Sequence, residues 1–157
     1  MIFVILGTQK FQMNRLTKIV DGLAPGLGEP VVAQIGQSDY EPENIRFHRF
    51  LGKAEFDGLI AGADLIITQG GVGAVMTALK CRKPVIIVPR LAKYGEHVDD
   101  HQREIAQAFV KKGFVLCCDD GDDLGALIAR AKGARFPEYV SSTDNINRII
   151  NEYLENI

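Results

Sequence analysis

Between Ala63 and Gln102 five stretches of different character follow one another, and few folds accept that order. Ala63-Asp64-Leu65-Ile66-Ile67-Thr68 is an apolar run. Gln69-Gly70-Gly71-Val72-Gly73-Ala74 is a glycine-rich turn, and Val75 to Cys81 reads as a helical run. Pro84-Val85-Ile86-Ile87-Val88-Pro89 is a second apolar run, followed by the polar stretch Gly95-Glu96-His97-Val98-Asp99-Asp100-His101-Gln102. Strand, turn, helix, strand and loop make one crossover unit of a parallel sheet. Glycines let the backbone approach a ligand because no Cβ stands between them. The helix that follows aims its free N–H groups and its positive dipole end at the same place, which suits a phosphate.

The flanking chain repeats the theme. Ile2 to Leu6 is apolar without alternation, the pattern of a strand buried on both faces. It is too short for a signal-peptide core and no basic stretch precedes it. Asn14 is placed to cap a helix to about Leu23, with Leu16, Ile19, Val20 and Leu23 on one face. Val31 to Ile35 reads as a second strand, and Ile45 to Leu51 as a third, nearer an edge. Lys53 to Ala61 reads as a short helix ending at Gly62. After the central unit come a helix from His101 to Lys112 stopped by Gly113, a sixth strand from Phe114 to Cys118, and a helix from Asp122 to Ala131 capped by Asp122. The stretch 133–139 reads as irregular. Thr143 or Asp144 can cap a last helix with Ile146, Ile149, Ile150, Tyr153, Leu154 and Ile157 at helical spacing.

Six strands alternating with helices predict an α/β doubly wound parallel sheet, Rossmann-like, in a single domain over residues 1–157. Ligands on such sheets sit beyond the carboxyl ends of the strands. The turns Gly7 to Phe11, Gly36 to Tyr40, Leu51 to Gly52, Gln69 to Gly73 and Pro89 to Gln102 should therefore converge on one cleft.

Bulk properties narrow the function. The 18 basic and 20 acidic residues nearly cancel, so nothing argues for a nucleic-acid surface. No apolar run approaches the roughly 20 residues of a membrane span. The cysteines Cys81, Cys117 and Cys118 are odd in number and lack ligand spacing, which predicts a reducing, cytoplasmic setting. Cys117 and Cys118 are neighbours in a strand and should face opposite sides as core residues.

Alternatives stay open at each candidate. The glycine turn is a phosphate cradle or simply a tight turn. A dinucleotide fingerprint belongs at the first strand, where only Gly7-Thr8-Gln9 stands, and no Gly-Lys-Ser/Thr follows for a Walker loop. His97, Asp99, Asp100, His101 and Gln102 are placed to hydrogen-bond sugar hydroxyls, or they form a solvated loop in which Asp99 or Asp100 caps the next helix. His97 and His101 with a nearby Asp also allow a metal reading. His48 reads as structural, and the acidic run 119–123 as a turn and cap.

Taken together these blocks resemble the family-28 glycosyltransferases over nearly the whole chain. The resemblance is carried by Ile2-Phe3-Val4 with Gly7-Thr8, Arg46-Phe47 with Phe50-Leu51, Ala63 to Ile67 with Gly71-Val72-Gly73, Lys83 to Arg90, and Gly95 to Gln102. More narrowly the chain resembles the small single-domain members, of the Alg13 type and of the bacterial exopolysaccharide PssE and EpsF kind. The resemblance implies the donor-binding half of a GT-B fold, with a UDP-sugar as substrate and no cofactor or metal. It implies that the backbone at Phe50, Leu51 and Gly52 reads the uracil edge. Gly71 to Gly73, beside Gln69 and Gly70, would hold the diphosphate. His101 and Gln102 would contact the sugar, and Gly7 and Thr8 would face the reacting centre. His97 is the best internal candidate for a general base by residue type. The resemblance further implies an inverting UDP-sugar hexosyltransferase of GlcNAc- or galactosyl type, active with a membrane-anchored Alg14-like or PssD-like partner that holds a lipid-linked acceptor. The chain would then sit at the cytoplasmic membrane face. The last helix, 143–157, would either dock that partner or pack on its own sheet.

Three positions depart from the family pattern. His-Ala-Gly-x-Gly-Ser is usual where this chain has Gln69 to Ala74, and the glutamate that accepts both ribose hydroxyls falls at Thr77. A carboxylate accepts two charge-assisted bonds and one hydroxyl cannot replace it, although Glu96 is a candidate to compensate. The departures leave a second reading open: a non-catalytic nucleotide-sugar-binding or scaffold subunit. A self-sufficient sugar-nucleotide enzyme such as an epimerase is a third, for which the second domain is absent from this sequence.

Overall fold

The structure is a computed structural model that describes residues 1–140, 148, 151 and 152. The expected last helix, with its capping and partner-docking roles, therefore lies almost wholly outside the described residues. The described helices include none long and apolar enough to cross a membrane.

Six strands form one parallel sheet in the order β3-β2-β1-β4-β5-β6. They are β1 (Ile2–Ile5), β2 (Val31–Gln34), β3 (Arg46–His48), β4 (Leu65–Thr68), β5 (Val85–Ile87) and β6 (Leu116–Cys117). Strand β1 pairs with β2 on one side and β4 on the other, so the order reverses there. Both neighbours are in register with it, Ile2 facing Val31 and Leu65. β3 lies at an edge, as its partial alternation suggests.

Among the described residues, helices α1 to α5 cover the two faces, and each face has its own core. On one side α1 (Asn14–Leu23) and α5 (Leu124–Gly133) bury Leu16, Val20, Leu124 and Ile128 against Val4, Ile67 and Ile86. On the other, α2 (Lys53–Gly62), α3 (Val72–Lys80) and α4 (His101–Lys111) bury Ile60, Val75, Ala78 and Phe109 against Phe3, Ile66 and Ile87. The crossover through α1 and those through α3 and α4 run in opposite directions across the sheet. Right-handed crossovers therefore place them on opposite faces. Cys118 joins the first core and Cys117 packs against the second, and burial pushes their thiols up to about 11 and about 12.

Several local expectations need correction. Asn14 does not cap α1: Met13 holds the cap position, and the Asn14 side chain instead bonds Asp39 and Ser38. A side chain that can reach a partner loop is better satisfied there than by its own helix. Ile19 is 41% exposed rather than inward, and Thr17 and Asp21 are buried in its place. Asp21 accepts the Tyr40 hydroxyl (2.6 Å) and the amides of Glu43 and Asn44, which ties the 36–45 loop to α1. α5 is capped by Asp123, whose carboxylate accepts the Ala126 amide at 3.1 Å. Asp122 closes the preceding turn on the Asp119 amide instead. α3 begins at Val72, three residues earlier than expected, so Gly73 lies inside its first turn. Gly113 does end α4, in the left-handed region at φ 76°.

Candidate functional site

The reversal of strand order between β1 and β4 opens a crevice at their carboxyl ends, where such sheets bind ligands. The turns after β1, β2, β4 and β5 meet there. Gly7 (φ 77°) leaves β1, and a Cβ on it would stand 2.9 Å from Gln69 Nε2. A Cβ on Gly36 would stand 2.6 Å from the Gly7 carbonyl and 4.0 Å from the Phe50 ring. Gly70 (φ 102°) needs the left-handed region, and a Cβ there would meet Ile87 at 3.1 Å and Gln102 at 3.9 Å. Gly71 is the N-cap of α3, and a Cβ on it would again meet Gln69 Nε2 at 2.9 Å. The first turn of α3 thus begins at a glycine cap, with Gly73 open to solvent beside it. No side chain caps this end, so its first amides keep the unpaired character that attracts an anion.

Two buried glutamines flank the turn. Gln69 is 4% exposed and wedges between the β1 turn and Gly71, with Oε1 lacking a hydrogen-bond partner. Gln102 is 7% exposed and accepts the Arg90 amide on Oε1 at 3.4 Å. The glycine turn and the segment ending at Gln102 therefore share one rim.

The 96–102 segment departs from expectation in part. Glu96 is 3% exposed and is no free ligand for a substrate. Its carboxylate takes Arg15 Nε at 2.8 Å, Arg15 Nη2 at 3.0 Å and the Leu91 amide at 3.0 Å. The hydrogen bond to Glu96 raises the Arg15 pKa. Arg90, 1% exposed, donates to the carbonyls of Leu6 (2.6 Å), Phe11 (2.7 Å) and Glu96 (3.1 Å). Burial pushes its guanidinium down. Nothing in the sequence singles out Arg15, and Arg90 enters only as the last residue of the Lys83 to Arg90 block that carries the family resemblance.

His97 rests its ring on Phe11, centroids 5.7 Å apart, with Nδ1 3.2 Å from Asp99. Asp99 lies well within reach of His101, accepting its amide at 3.0 Å, and that bond first, with the two imidazoles, lowers its carboxyl pKa. Asp100 holds the N-cap position of α4, but its side chain accepts the Ala92 amide at 2.9 Å instead. His101 is half exposed and also approaches Glu104. Among the described residues no group of three His, Cys, Asp or Glu side chains is placed to hold a metal ion, so the His97 and His101 metal reading finds no geometry there.

Other candidates are placed as follows. The Leu51 amide donates to Gln34 Oε1 at 3.1 Å, so one of the groups expected to read a base is already engaged. Gln34, the last residue of β2, carried no sequence signal for this role. Phe50 is 51% exposed, and Gly52 is the N-cap of α2. Thr77 turns its hydroxyl back to the Gly73 carbonyl at 2.9 Å. Thr8 is exposed beside Gly7. A hollow of about 660 Å³ opens next to this turn, lined by Lys10, Phe11, Gln12, Arg15, Tyr94 and Glu96 among others.

Residues 1–134 match the glycosyltransferase family 28 C-terminal domain. The chain belongs to that family. Curated relatives include the UDP-N-acetylglucosamine transferase subunit ALG13 of Cryptococcus neoformans, 34% identical over 64 residues that span 40% of this chain and 30% of the relative. A second is the UDP-N-acetylglucosamine–N-acetylmuramyl-(pentapeptide) pyrophosphoryl-undecaprenol N-acetylglucosamine transferase of Opitutus terrae, 31% identical over 94 residues, 60% of this chain and 23% of that one. The family 28 chain thus spans less than a third of the length of these relatives. Among solved structures, the NMR structure of ALG13 aligns with a TM-score of 0.63 at 18% identity, covering 94% of this chain and 93% of that one. The UDP-GlcNAc 2-epimerase of Methanocaldococcus jannaschii aligns at 0.66 and 14%, covering 98% and 45%. At such identities the likeness establishes the fold alone, a Rossmann-like parallel α/β domain similar to the halves of GT-B proteins.

Proposed function

We propose that this domain binds a UDP-sugar and serves as the donor-binding, catalytic subunit of an inverting glycosyltransferase. One observation carries the reading: the uncapped start of α3, bared by Gly70 and Gly71, stands on the same rim as Gln102. A diphosphate at α3 and its attached sugar at Gln102 fit that spacing. The curated relatives' names, which specify N-acetylglucosamine transfer, favour UDP-GlcNAc over the galactosyl donor as substrate.

In this reading the uracil lies at Phe50, Leu51 and Gly52, near the end of β3. The α3 amides and Gly71 to Gly73 neutralise the diphosphate, most strongly as negative charge grows on departing UDP. An acceptor hydroxyl attacks the anomeric carbon while the bond from that carbon to the β-phosphate oxygen breaks, and the configuration inverts. The hydroxyl proton passes to a general base. His97 is held against Phe11 and Asp99, so the base is assigned to the partner that completes the cleft. That partner is a membrane-anchored, Alg14-like or PssD-like acceptor subunit presenting a lipid-linked acceptor. It would hold the domain at the cytoplasmic membrane face, in polysaccharide or glycolipid synthesis. No cofactor is assigned beyond the UDP-sugar substrate.

Thr77 supports a second reading. Its hydroxyl is spent inside its own helix, on Gly73, and offers a ribose nothing like a carboxylate. A nucleotide-sugar-binding or scaffold subunit without turnover would tolerate that loss. Titration calorimetry with UDP-GlcNAc, UDP-galactose and UDP-glucose, followed by a transfer assay with the co-purified partner, decides between them. Binding with transfer supports the enzyme, binding without transfer the scaffold, and no heat with any nucleotide sugar removes both.

A further inference from the structure

We propose that Arg90 is the positioning residue of this site: its guanidinium clamps the turn after β1 to the 96–102 segment, so that both reach a ligand as one surface. The inference rests on the donor-site reading for its ligand and on geometry for its mechanism. Arg90 lies three residues beyond β5, in the loop that follows it, and is 1% exposed. It donates to Leu6, next to Gly7, and to Phe11, 84 and 79 residues away in sequence. It also donates to the Glu96 carbonyl, and its own amide reaches Gln102 Oε1. Among the described residues no carboxylate touches the guanidinium. Glu96, the nearest opposite charge, turns its carboxylate to Arg15.

Packing alone does not explain such a residue. A buried cation is costly to desolvate, and an apolar side chain of similar volume would fill the space without that cost. Only a guanidinium offers a rigid planar fork that can bond several carbonyls at once, whereas a lysine offers one point charge. The ladders of β1, β4 and β5 are complete without Arg90, since their pairing runs through main-chain groups. What it adds, beside the Phe11–His97 ring contact, is a hydrogen-bonded link between two loops that the ladders leave unconnected.

The test compares wild type with Arg90→Lys and Arg90→Met in two measurements on the whole chain. Hydrogen exchange should rise about tenfold or more in residues 6–12 and 96–102 of Arg90→Met, while β4 and α3 keep their protection. UDP-GlcNAc affinity should fall about tenfold, the weight of one lost hydrogen bond or more, while uridine binding followed by NMR stays within about twofold. Arg90→Lys should fall between, and it carries the same comparison should Arg90→Met fail to fold. Unchanged exchange in the two segments, a uniform rise across the sheet, or equal weakening of uridine and UDP-GlcNAc overturns the proposal. Failure of wild type to bind either ligand sinks the donor-site reading instead, and the exchange data still decide what Arg90 holds.

Discussion

Compare the turn after β4 with the loop after β5. The first is defined by what is missing: Gly70 and Gly71 leave main chain uncovered, and no side chain caps α3. The second is defined by what is present: Arg15 paired with the buried Glu96 carboxylate, and Arg90 buried beside them on main-chain carbonyls. The first is complete within a few consecutive residues. The second is assembled from partners 74 to 84 positions apart. The contrast implies an asymmetry. On the glycine side, adding atoms should damage binding and spare the fold. On the charged side, removing atoms should damage the fold first.

The largest effect expected from that asymmetry is Glu96→Ala. It leaves Arg15 without its carboxylate and the Leu91 amide without its acceptor, and should cost about 3–5 kcal/mol, as breaking buried ion pairs does. Urea unfolding at neutral pH measures it, with Asp57→Ala as the surface control. The Lys53–Asp57 pair is exposed and should contribute well under about 1 kcal/mol. A Glu96 loss no larger than the control's would mean that the loop after β5 is held by something else. Next comes Gly71→Val on the other side. Its Cβ meets Gln69 Nε2, and its branches cover the start of α3. Calorimetry should show UDP affinity down about a hundredfold, the worth of two bonds to a charged group, with stability changed by about 1 kcal/mol. Gln102→Ala should leave UDP within about twofold and reduce the preference among UDP-sugars about fivefold. Equal effects of the last two variants on UDP would merge the subsites that the comparison separates.

The same contrast explains what could be read from the chain alone. Strands such as Ile2–Ile5 and Leu65–Thr68 are legible because burial on both faces writes itself as an unbroken apolar run. The glycine turn is legible because its chemistry is local. Its boundary was not, since α3 starts at Val72 and valine followed by glycine is a poor helical opening that packing of Val75 and Ala78 on the sheet overrides. Glu96 looked like a substrate ligand because it sits in a polar run. Only the fold shows that Arg15 arrives beside it from α1. Gln34 and Asp21 were silent for the same reason: each takes amides from loops 17 to 23 residues away. Side chains whose partners are distant in sequence leave no local trace.

The last variant is the sharpest test of the glycine side, because it runs against the trend. Thr77→Glu adds atoms there yet should improve binding. The threonine hydroxyl now closes on the Gly73 carbonyl within α3 and serves that helix alone. Position 77 is partly exposed, so a glutamate can swing outward without disturbing the core formed by Val75, Met76 and Ala78. Glutamate is also the better helix former, so stability should stay within about 0.5 kcal/mol. A carboxylate there would accept two hydroxyls of a ribose bound between Gly52 and Gly71, and UDP affinity should rise about tenfold. 2′,3′-Dideoxy-UDP provides the control, since it lacks both hydroxyls and should gain nothing. A gain for both nucleotides, or for neither, would place the ribose away from α3. The glycine rim would then be a turn that no nucleotide touches.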